Sequence, residues 1–255
     1  TFTGSVATGK TVMRAAASHV ASVTMELGGK SPVVVLADAD LDAALEGVLK
    51  AIFTNAGQVC SAGSRLVIER SVAQPFLDAL VKRVSAFRFG HGLDNPDIGP
   101  VISRPQLDKI ASIVAASVAA GATLLTGSEV KTPEGLNGWF FEPTVLLAHE
   151  VGAPCAQEEI FGPVLTVQIA DDFAHACELA ESTQFGLVAG IYTRDISKAL
   201  RFSRHVSGGQ VFINQFFAGG VETPFGGTKN SGFGREKGLE GLRAYYTVKT
   251  ITARI

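Results

Sequence analysis

The sequence predicts an α/β fold of three layers, in which a mostly parallel β-sheet lies between two layers of helices. Short runs of apolar and β-branched residues, typical of buried strands, alternate with longer segments whose apolar residues recur at helical spacing. The chain has 255 residues, of which 46% are hydrophobic, so it can bury a large core. Strands that alternate with helices in this way are joined by crossovers and pair in parallel.

Local patterns predict the elements of the first half. Residues 31–36 form an uninterrupted apolar run, as expected for a strand that is covered on both faces. Asp40 begins a helix that ends near Gly57, because Asp is a favoured N-cap and apolar residues follow at intervals of three and four. The same patterns predict strands at residues 66–68 and 123–125 and helices at residues 74–87 and 107–120.

The second half continues the alternation and then ends differently. Strands are predicted at residues 164–169, 188–192 and 211–214, and helices at residues 173–181 and 196–204. Residues 129–138 combine Pro, Gly, Asn and charge, which predicts an exposed loop. A glycine-rich segment at 225–238 and a short helix precede residues 245–255, which are rich in Thr, Val and Ile. This last segment predicts a strand that pairs with another subunit.

Composition argues against several classes of function. The chain has 22 basic and 24 acidic residues, a net charge of −2 and no basic block, which argues against nucleic acid as the main partner. Its three cysteines form no C-x-x-C pair, so the sequence predicts neither a disulfide framework nor a zinc site, and a reducing cytoplasm is expected. No signal-peptide pattern and no membrane-spanning apolar run occur, so we expect no membrane partner.

Residues 4–11 match the phosphate-loop pattern G-x-x-x-x-G-K-[ST] letter for letter. Residues 33–38, an apolar run that ends in Asp, resemble the strand that holds Mg²⁺ in nucleotide hydrolases. However, only three residues precede the pattern, where such a domain needs its first strand. An NTPase therefore stays an alternative, as does a strand-turn-helix without a ligand. The phosphate-proximal turn of a dinucleotide enzyme uses the same physics and fits better.

Cys60 is the candidate nucleophile of the sequence. It lies between a predicted helix and a predicted strand, among small residues that can leave its sulfur uncovered. A thiol in such a loop becomes a nucleophile once its pKa is lowered. The alternative is a small buried hydrophobic residue, which is what most free cysteines are, and this is our interpretation of Cys155 and Cys177.

Five ordered segments of this sequence resemble the aldehyde dehydrogenase superfamily. They are FTGS at residues 2–5, MELGGKSP at 25–32, GQ-x-C at 57–60, EEIFGP at 158–163 and PFGG-x-K-x-SG at 224–232. The segments are long and extend over nearly the whole chain, so the resemblance is specific. It implies the catalytic-domain fold of that family and the oxidation of an aldehyde to a carboxylic acid. It also implies NAD or NADP as cofactor and a homodimer or a higher homo-oligomer.

The resemblance assigns chemical roles to the matched residues. Cys60 would attack the aldehyde, and the resulting thiohemiacetal would lose a hydride to the nicotinamide and become a thioester. Glu26 would be the general base that activates water to hydrolyse this thioester. Without the resemblance, Glu26 is expected to be a surface or capping carboxylate. The other implied contacts are Gly4 and Ser5 with the pyrophosphate, the Leu27 carbonyl with the carboxamide, Glu159 with the nicotinamide ribose, Phe161 with the nicotinamide, and Phe225 with the aldehyde.

The resemblance also implies a division of the chain. Residues 1–27 would be a remnant of a dinucleotide-binding domain, residues 28–230 the catalytic domain, and residues 231–255 a return segment with the oligomerisation strand. In relatives, a preceding half supplies the side-chain amide of the oxyanion hole. We therefore expect a fragment with reduced or no activity, and a folded remnant without catalysis is the alternative. Three aromatic residues, Phe216, Phe217 and Phe225, predict an apolar tunnel for the aldehyde.

Overall fold

Fourteen strands and eight helices make up the protein, whose computed structural model describes residues 1–255. The strands are β1 (Phe2–Thr3), β2 (Met25–Glu26), β3 (Pro32–Val35), β4 (Arg65–Glu69), β5 (Thr123–Thr126), β6 (Val130–Lys131), β7 (Phe140–Phe141), β8 (Thr144–Leu147), β9 (Val164–Ala170), β10 (Phe185–Gly186), β11 (Val188–Tyr192), β12 (Gln210–Ile213), β13 (Thr228–Lys229) and β14 (Gly232–Phe233). The helices are α1 (Val6–Ala17), α2 (Leu41–Phe53), α3 (Arg70–Ser85), α4 (Arg104–Ala119), α5 (Pro154–Gln157), α6 (Phe173–Glu181), α7 (Ile196–His205) and α8 (Gly238–Arg243).

Seven of the strands form the central sheet, in the spatial order β12-β11-β3-β4-β9-β8-β5. Every neighbouring pair in this sheet is parallel except β5 with β8, which is antiparallel at one edge. The middle strand β3 is buried over its whole length, as its continuous apolar run predicts. The predicted α/β fold with a mostly parallel sheet is therefore confirmed.

Helices cover both faces of the central sheet. Val33 points to the face where Ile52 of α2 and Leu80 of α3 are buried. The next residue, Val34, lies in a second cluster with Phe202 of α7, because successive side chains of a strand point to opposite faces. A third apolar cluster lies between α4 and the β7–β8 region. No helix has both the length and the apolar composition that a bilayer crossing requires.

Helix boundaries follow local capping chemistry. The Asp40 carboxylate accepts a hydrogen bond from the Ala43 N–H at 3.1 Å, so α2 begins where the sequence predicts. Helix α3 begins at Arg70, four residues before its predicted start, and contains Pro75. Proline is typical of the first turn of a helix, so Pro75 favours a helix start near residue 74. In the structure α3 instead accommodates Pro75 in its second turn.

Short strands account for most of the remaining differences. The predicted loop at residues 129–138 contains β6, which pairs with β7 in an antiparallel ladder of only two residues. Strand β8 was not predicted, because four residues after a proline carry too little pattern to mark a strand. Residues 246–255 form no helix or strand and are exposed. Their pairing with another subunit stays a prediction.

A small three-stranded sheet joins the start of the chain to its last third. Strand β1 pairs in parallel with β2, and β14 pairs with β2 in the antiparallel sense. The backbone N–H of Leu27 continues this ladder by donating to the Ser231 carbonyl at 3.0 Å. The first predicted segment, residues 1–27, and the last, residues 231–255, thus share one sheet, and the division into domains stays a prediction.

Candidate active site

The candidate site lies at the amino-terminal ends of three neighbouring parallel strands. Glu26 comes shortly before β3, Cys60 before β4 and Glu159 before β9. Because β3 pairs with β4, and β4 with β9, the segments that enter these strands meet at one edge of the sheet. This edge is opposite to the carboxyl-terminal edge at which open α/β sheets commonly bind ligands.

A cleft of about 510 Å³ opens at this edge, in the size range of pockets for small molecules. Its lining residues are Thr3, Gly4, Ser5, Glu26, Gly28, Gln58, Val59, Cys60, Gln106, Lys109, Glu159 and Phe161. The structure therefore brings together all the predicted site residues except Leu27 and Phe225. No group of three or more His, Cys, Asp or Glu side chains suitable for a metal ion occurs in the structure.

Two glycines allow the three segments to approach one another closely. A Cβ atom at Gly28 would lie 2.0 Å from Glu159 Oε2, and one at Gly29 would lie 2.7 Å from the Cys60 carbonyl oxygen. The Gly29 N–H also donates a hydrogen bond to Glu159 Oε1 at 3.1 Å. A side chain at position 29 would meet the Cys60 backbone and push the Glu26 segment away from it, whereas one at position 28 would displace the Glu159 carboxylate, which explains the Gly-Gly pair two residues after Glu26.

Cys60 follows a turn of left-handed backbone. Asn55, Ala56 and Gly57 have φ angles of 53°, 52° and 72°, and this conformation is unfavourable for alanine. Two hydrogen bonds close the turn: Asn55 Nδ2 donates to the Gln58 carbonyl at 3.1 Å, and Gln58 Nε2 donates to the Asn55 carbonyl at 3.2 Å. The turn leads from the end of α2 towards β4 and leaves Cys60 half-buried at the cleft.

The surroundings of Cys60 raise the pKa of its thiol. Burial is the main cause, and the nearby carboxylates of Glu26 and Glu159 add to it, while a hydrogen bond from the Ser61 backbone opposes them. Thiolate is therefore disfavoured in the free chain. This differs from the lowered pKa that the sequence predicts for an activated nucleophile; the reason is the burial of the thiol, to which the two acidic side chains of the cleft add.

Glu26 is buried, with only 2% of its surface exposed, and neither carboxylate oxygen has a hydrogen-bond partner. Burial raises its pKa to about 7; the charge of Glu236 adds to the shift and that of Arg235 opposes it. The surface or capping carboxylate expected from sequence context alone is therefore wrong for this residue. A carboxyl group with a pKa near neutrality can give up and take up protons at physiological pH.

Glu159 and Phe161 enter the cleft from the segment before β9. Glu159 is half-buried, and burial raises the pKa of its carboxyl group against the hydrogen bond from Gly29. Phe161 has a φ of 57°, a conformation that side-chain-bearing residues rarely adopt. The neighbouring Glu158 is exposed and forms no ion pair.

Gly4 and Ser5 form the turn between β1 and α1 beside Glu26. The Gly4 N–H donates to the Glu26 carbonyl at 3.1 Å, and Ser5 Oγ caps α1 by accepting from the Thr8 N–H at 3.3 Å. The backbone N–H groups of Val6 and Ala7 in the first helical turn remain available for an anion.

The same geometry excludes a phosphate loop at residues 4–11. Such a loop needs the backbone N–H groups of its whole pattern to face the phosphates, before its helix begins. Here α1 already begins at Val6, and the Gly9 N–H donates to the Ser5 carbonyl at 2.9 Å within the helix. The NTPase alternative is therefore wrong, because Ser5 is the N-cap and α1 begins inside the pattern, before the residues that would have to form the loop.

Leu27 and Phe225 lie outside the cleft. Leu27 is buried, so its side chain offers no surface to a ligand. Phe225 is half-buried and pairs with Glu236 through two backbone hydrogen bonds of 2.7 Å. Phe216 is only 5% exposed and belongs to the apolar core, where the centroid of its ring lies 4.9 Å from that of Phe212 of β12. Phe216 is therefore not available as a wall of the predicted tunnel.

Four further polar residues line the cleft without having been assigned a role from sequence: Thr3, Gln58, Gln106 and Lys109. Gln58 stands inside the GQ-x-C segment, which was a signal of its importance. Gln106 and Lys109 are three residues apart on α4, on one face of the helix. Nothing in the local sequence shows that this face of α4 turns to the segment before β9.

Lys30 is the second buried ionisable residue of the Glu26 segment. It is 1% exposed, and its Nζ atom has no hydrogen-bond partner. Burial lowers its pKa from 10.5 to about 7; the charge of Arg65 adds to this shift, whereas Cys155 and Glu159 oppose it. Since an unfolded chain keeps the proton up to pH 10.5, this group destabilises the fold most at pH values below about 7.

Replacing Lys30 by methionine is therefore expected to stabilise the protein. At pH 6, Lys30 is charged in both the folded and the unfolded chain, so its replacement should raise the free energy of unfolding by up to about 5 kcal/mol. At pH 9 the gain should be less than half as large. Urea titrations at the two pH values measure this difference. Lys50→Met, on the exposed side of α2, is the control and should change the free energy by less than about 0.5 kcal/mol. A loss of stability in Lys30→Met at pH 6 would contradict the prediction.

Comparison with known proteins agrees with this arrangement. The sequence model of the Aldehyde dehydrogenase family matches residues 1–251. Betaine aldehyde dehydrogenase 1 of Rhizobium meliloti (strain 1021) is 42% identical over 251 residues, which are 98% of this chain and 52% of that protein. The 4-trimethylaminobutyraldehyde dehydrogenase of Homo sapiens is 39% identical over 254 residues, which are 98% of this chain and 51% of that protein.

Solved structures give the same result. The crystal structure of a betaine aldehyde dehydrogenase from Staphylococcus aureus, in complex with NAD⁺, superposes with a TM-score of 0.93 and 40% identity. The superposition covers 96% of this chain and 49% of that one. The chain thus spans about half the length of the curated relatives it matches.

Proposed function

The chain belongs to the aldehyde dehydrogenase family, and we propose that it carries the nucleophile, the general base and part of the cofactor site for oxidation of an aldehyde to a carboxylic acid. One observation carries the proposal: a single cleft is lined by Cys60 and Glu26 together with Glu159 and the Gly4–Ser5 turn. A nucleophile, a base of neutral pKa and groups suited to a nucleotide are the parts that this chemistry needs.

The residues present fit a nicotinamide dinucleotide. Glu159 offers a half-buried carboxylate, which can accept hydrogen bonds from ribose hydroxyls. The start of α1 beside Gly4 and Ser5 offers free N–H groups to a pyrophosphate. When bound, NAD⁺ or NADP⁺ accepts the hydride that leaves the substrate carbon. The Leu27 carbonyl and the Phe161 ring are the proposed contacts of the nicotinamide.

Cys60 begins the proposed reaction. Its sulfur forms a bond to the carbonyl carbon of the aldehyde, while the carbonyl π electrons move to oxygen and give a thiohemiacetal. Because burial and two carboxylates raise the pKa of the thiol, its proton has to be transferred to a base before or during attack. Glu26 is the carboxylate of the cleft whose pKa, about 7, suits this transfer.

Glu26 completes the proposed reaction. Glu26 first releases to solvent the proton that it took from Cys60. Once the carbon bound to sulfur is at the oxidation level of a thioester, Glu26 takes a proton from water and the resulting hydroxide attacks that carbon. The C–S bond then breaks, the acid leaves and Cys60 is regenerated. Neither Glu26 oxygen is hydrogen-bonded to the rest of the chain, so a water that reaches them meets no competing donor.

Some features of the sequence prediction remain proposals. We propose residues 28–230 as the catalytic unit, with Phe225 on the side from which the aldehyde enters, and residues 245–255 as a strand that pairs in a homodimer or higher oligomer. The relatives are named for betaine aldehyde and 4-trimethylaminobutyraldehyde, so small aldehydes are the substrates to test first.

The experiment that tests the proposed function supplies the chain with NAD⁺ or NADP⁺ and either betaine aldehyde or acetaldehyde. Formation of reduced nicotinamide, followed by absorbance, together with the matching acid in the product analysis supports the proposal. Absence of both products from every combination contradicts catalysis by this chain and favours a folded remnant.

Cofactor binding allows a prediction with a matched control. Replacing Glu159 by glutamine should weaken binding of NAD⁺ about 10-fold, because the ribose hydroxyls lose a charged acceptor. The same change at Glu158, which is exposed and outside the cleft, should leave the affinity unchanged. Calorimetric titration of the two variants measures the difference, and equal affinities would contradict a role of Glu159 in cofactor binding.

A further inference from the structure

Helix α4 holds the segment that carries Glu159 and Phe161. Gln106 Nε2 donates one hydrogen bond to the Ile160 carbonyl at 2.9 Å and another to the Phe161 carbonyl at 2.8 Å. One turn later, Lys109 Nζ donates to the Glu159 carbonyl at 2.8 Å. Two side chains of one helix face therefore bind three consecutive carbonyl groups of the segment.

The two bonds from Gln106 fix the backbone of Phe161 on both sides of its Cα atom. The Ile160 carbonyl belongs to the peptide group that turns with φ of Phe161, and the Phe161 carbonyl to the group that turns with ψ. A single amide nitrogen that binds both carbonyls keeps them close together and opposes rotation about either angle. This matters because Phe161 has a φ of 57°, which a residue with a side chain adopts only when its surroundings hold it there.

The amino-terminal end of α4 also contacts the segment of the nucleophile. The Ile102 N–H, which directly precedes the N-cap Ser103, donates to Gln58 Oε1 at 2.9 Å. Gln58 stands two residues before Cys60. The same end of one helix is thus bonded to the segment of the thiol and to the segment of the candidate cofactor residues.

We propose that Gln106 is a positioning residue, which holds Phe161 in its left-handed conformation and thereby keeps the Phe161 ring and the Glu159 carboxylate directed at the nicotinamide half of the cofactor. This inference rests on the proposed function, because it takes the cleft as a nicotinamide site. Gln106 acts through the backbone of Phe161. Lys109 supports the same segment through a single bond.

The test combines substitutions at positions 106 and 161. Gln106→Met keeps the length of the side chain and removes both donors, so affinity for NAD⁺ is expected to fall about 10-fold. Glycine adopts a positive φ without help. In a Phe161→Gly background, Gln106→Met is therefore expected to lower the affinity by less than about 3-fold. An equal loss in both backgrounds overturns the proposal, since it indicates direct contact between Gln106 and the cofactor.

A second readout does not depend on cofactor binding. Amide hydrogen exchange of the peptide that contains residues 159–163 should speed up about 10-fold in Gln106→Met and change little when the same substitution is made in Phe161→Gly. Gln74→Met, on the exposed surface of α3, is the matched control and should alter neither readout. If the unsubstituted chain binds no NAD⁺, the proposed function fails, while exchange still tests Gln106. Unchanged exchange in Gln106→Met overturns the proposal.

Discussion

Replacing Cys60 by alanine is expected to abolish acyl transfer to this chain, with a loss of about 10⁴-fold or more in rate. The reason is that Cys60 carries the only thiol that lines the cleft. The probe is p-nitrophenyl acetate, an activated ester that acylates a thiolate and releases one molecule of p-nitrophenol, a coloured phenol, for each sulfur that is modified. This measurement needs no cofactor, so it isolates the nucleophile from the rest of the proposed reaction.

The other two cysteines are the controls for this prediction. Cys155 is completely buried and Cys177 is 6% exposed, and neither lines the cleft. Alanine at either position should therefore preserve the burst of phenol, and the acetyl group should be found by mass spectrometry on the peptide that contains Cys60. A full burst in Cys60→Ala, or an acetyl group on another residue, would remove Cys60 as the nucleophile.

The pH dependence of this acylation follows from the surroundings of the sulfur. Because burial and the carboxylates of Glu26 and Glu159 raise the pKa of Cys60, the rate should keep rising beyond pH of about 8.5, the ordinary pKa of a thiol. A plateau below neutral pH would instead indicate a thiolate that is already stabilised in the free chain.

Much of the fold could be predicted because its determinants are local. The apolar run of β3 and the Asp40 cap of α2 lie within a few residues of the elements they specify. The strands β6 and β8 could not be predicted, since they contain two and four residues and gain their order from the strands they pair with. The start of α3 could not be predicted either, since the helix contains Pro75 in its second turn, where the local preference is against proline.

The candidate site shows the same limit more sharply. Residues 4–11 match every position of the phosphate-loop pattern, yet Ser5 caps α1, so residues 6–11 of the pattern are helical. The burial of Glu26 depends on β14, about 200 residues away along the chain, and cannot be read from its own segment. The role proposed for Gln106 depends on carbonyl groups, which every residue has, so no side-chain motif marks it.

Replacing Glu26 by glutamine is expected to separate the two halves of the proposed reaction. The first burst of phenol should keep its amplitude, because Cys60 is intact, but should form more slowly, because Glu26 no longer takes up the thiol proton. The steady release that reports hydrolysis of the acyl group should fall by about 10²- to 10⁴-fold, the usual contribution of a general base. In the unsubstituted chain, this steady rate should rise with pH around a midpoint near 7, as Glu26 loses its proton. Glu158→Gln, at an exposed position, is the control and should keep both phases.

The same substitution should make the fold more stable, and the pH at which it does so checks the cause. Glu26 ionises at about pH 7 in the fold and at about 4.5 when unfolded, so its contribution to stability falls as pH rises from 4.5 to 7. Glu26→Gln should therefore match the unsubstituted chain below pH 4.5 and exceed it by about 3 kcal/mol above pH 7. A gain that is equal at all pH values would attribute the effect to packing. A gain confined to the higher pH range shows that the buried, unpaired carboxylate is costly to the fold, as expected for a group kept for its chemistry.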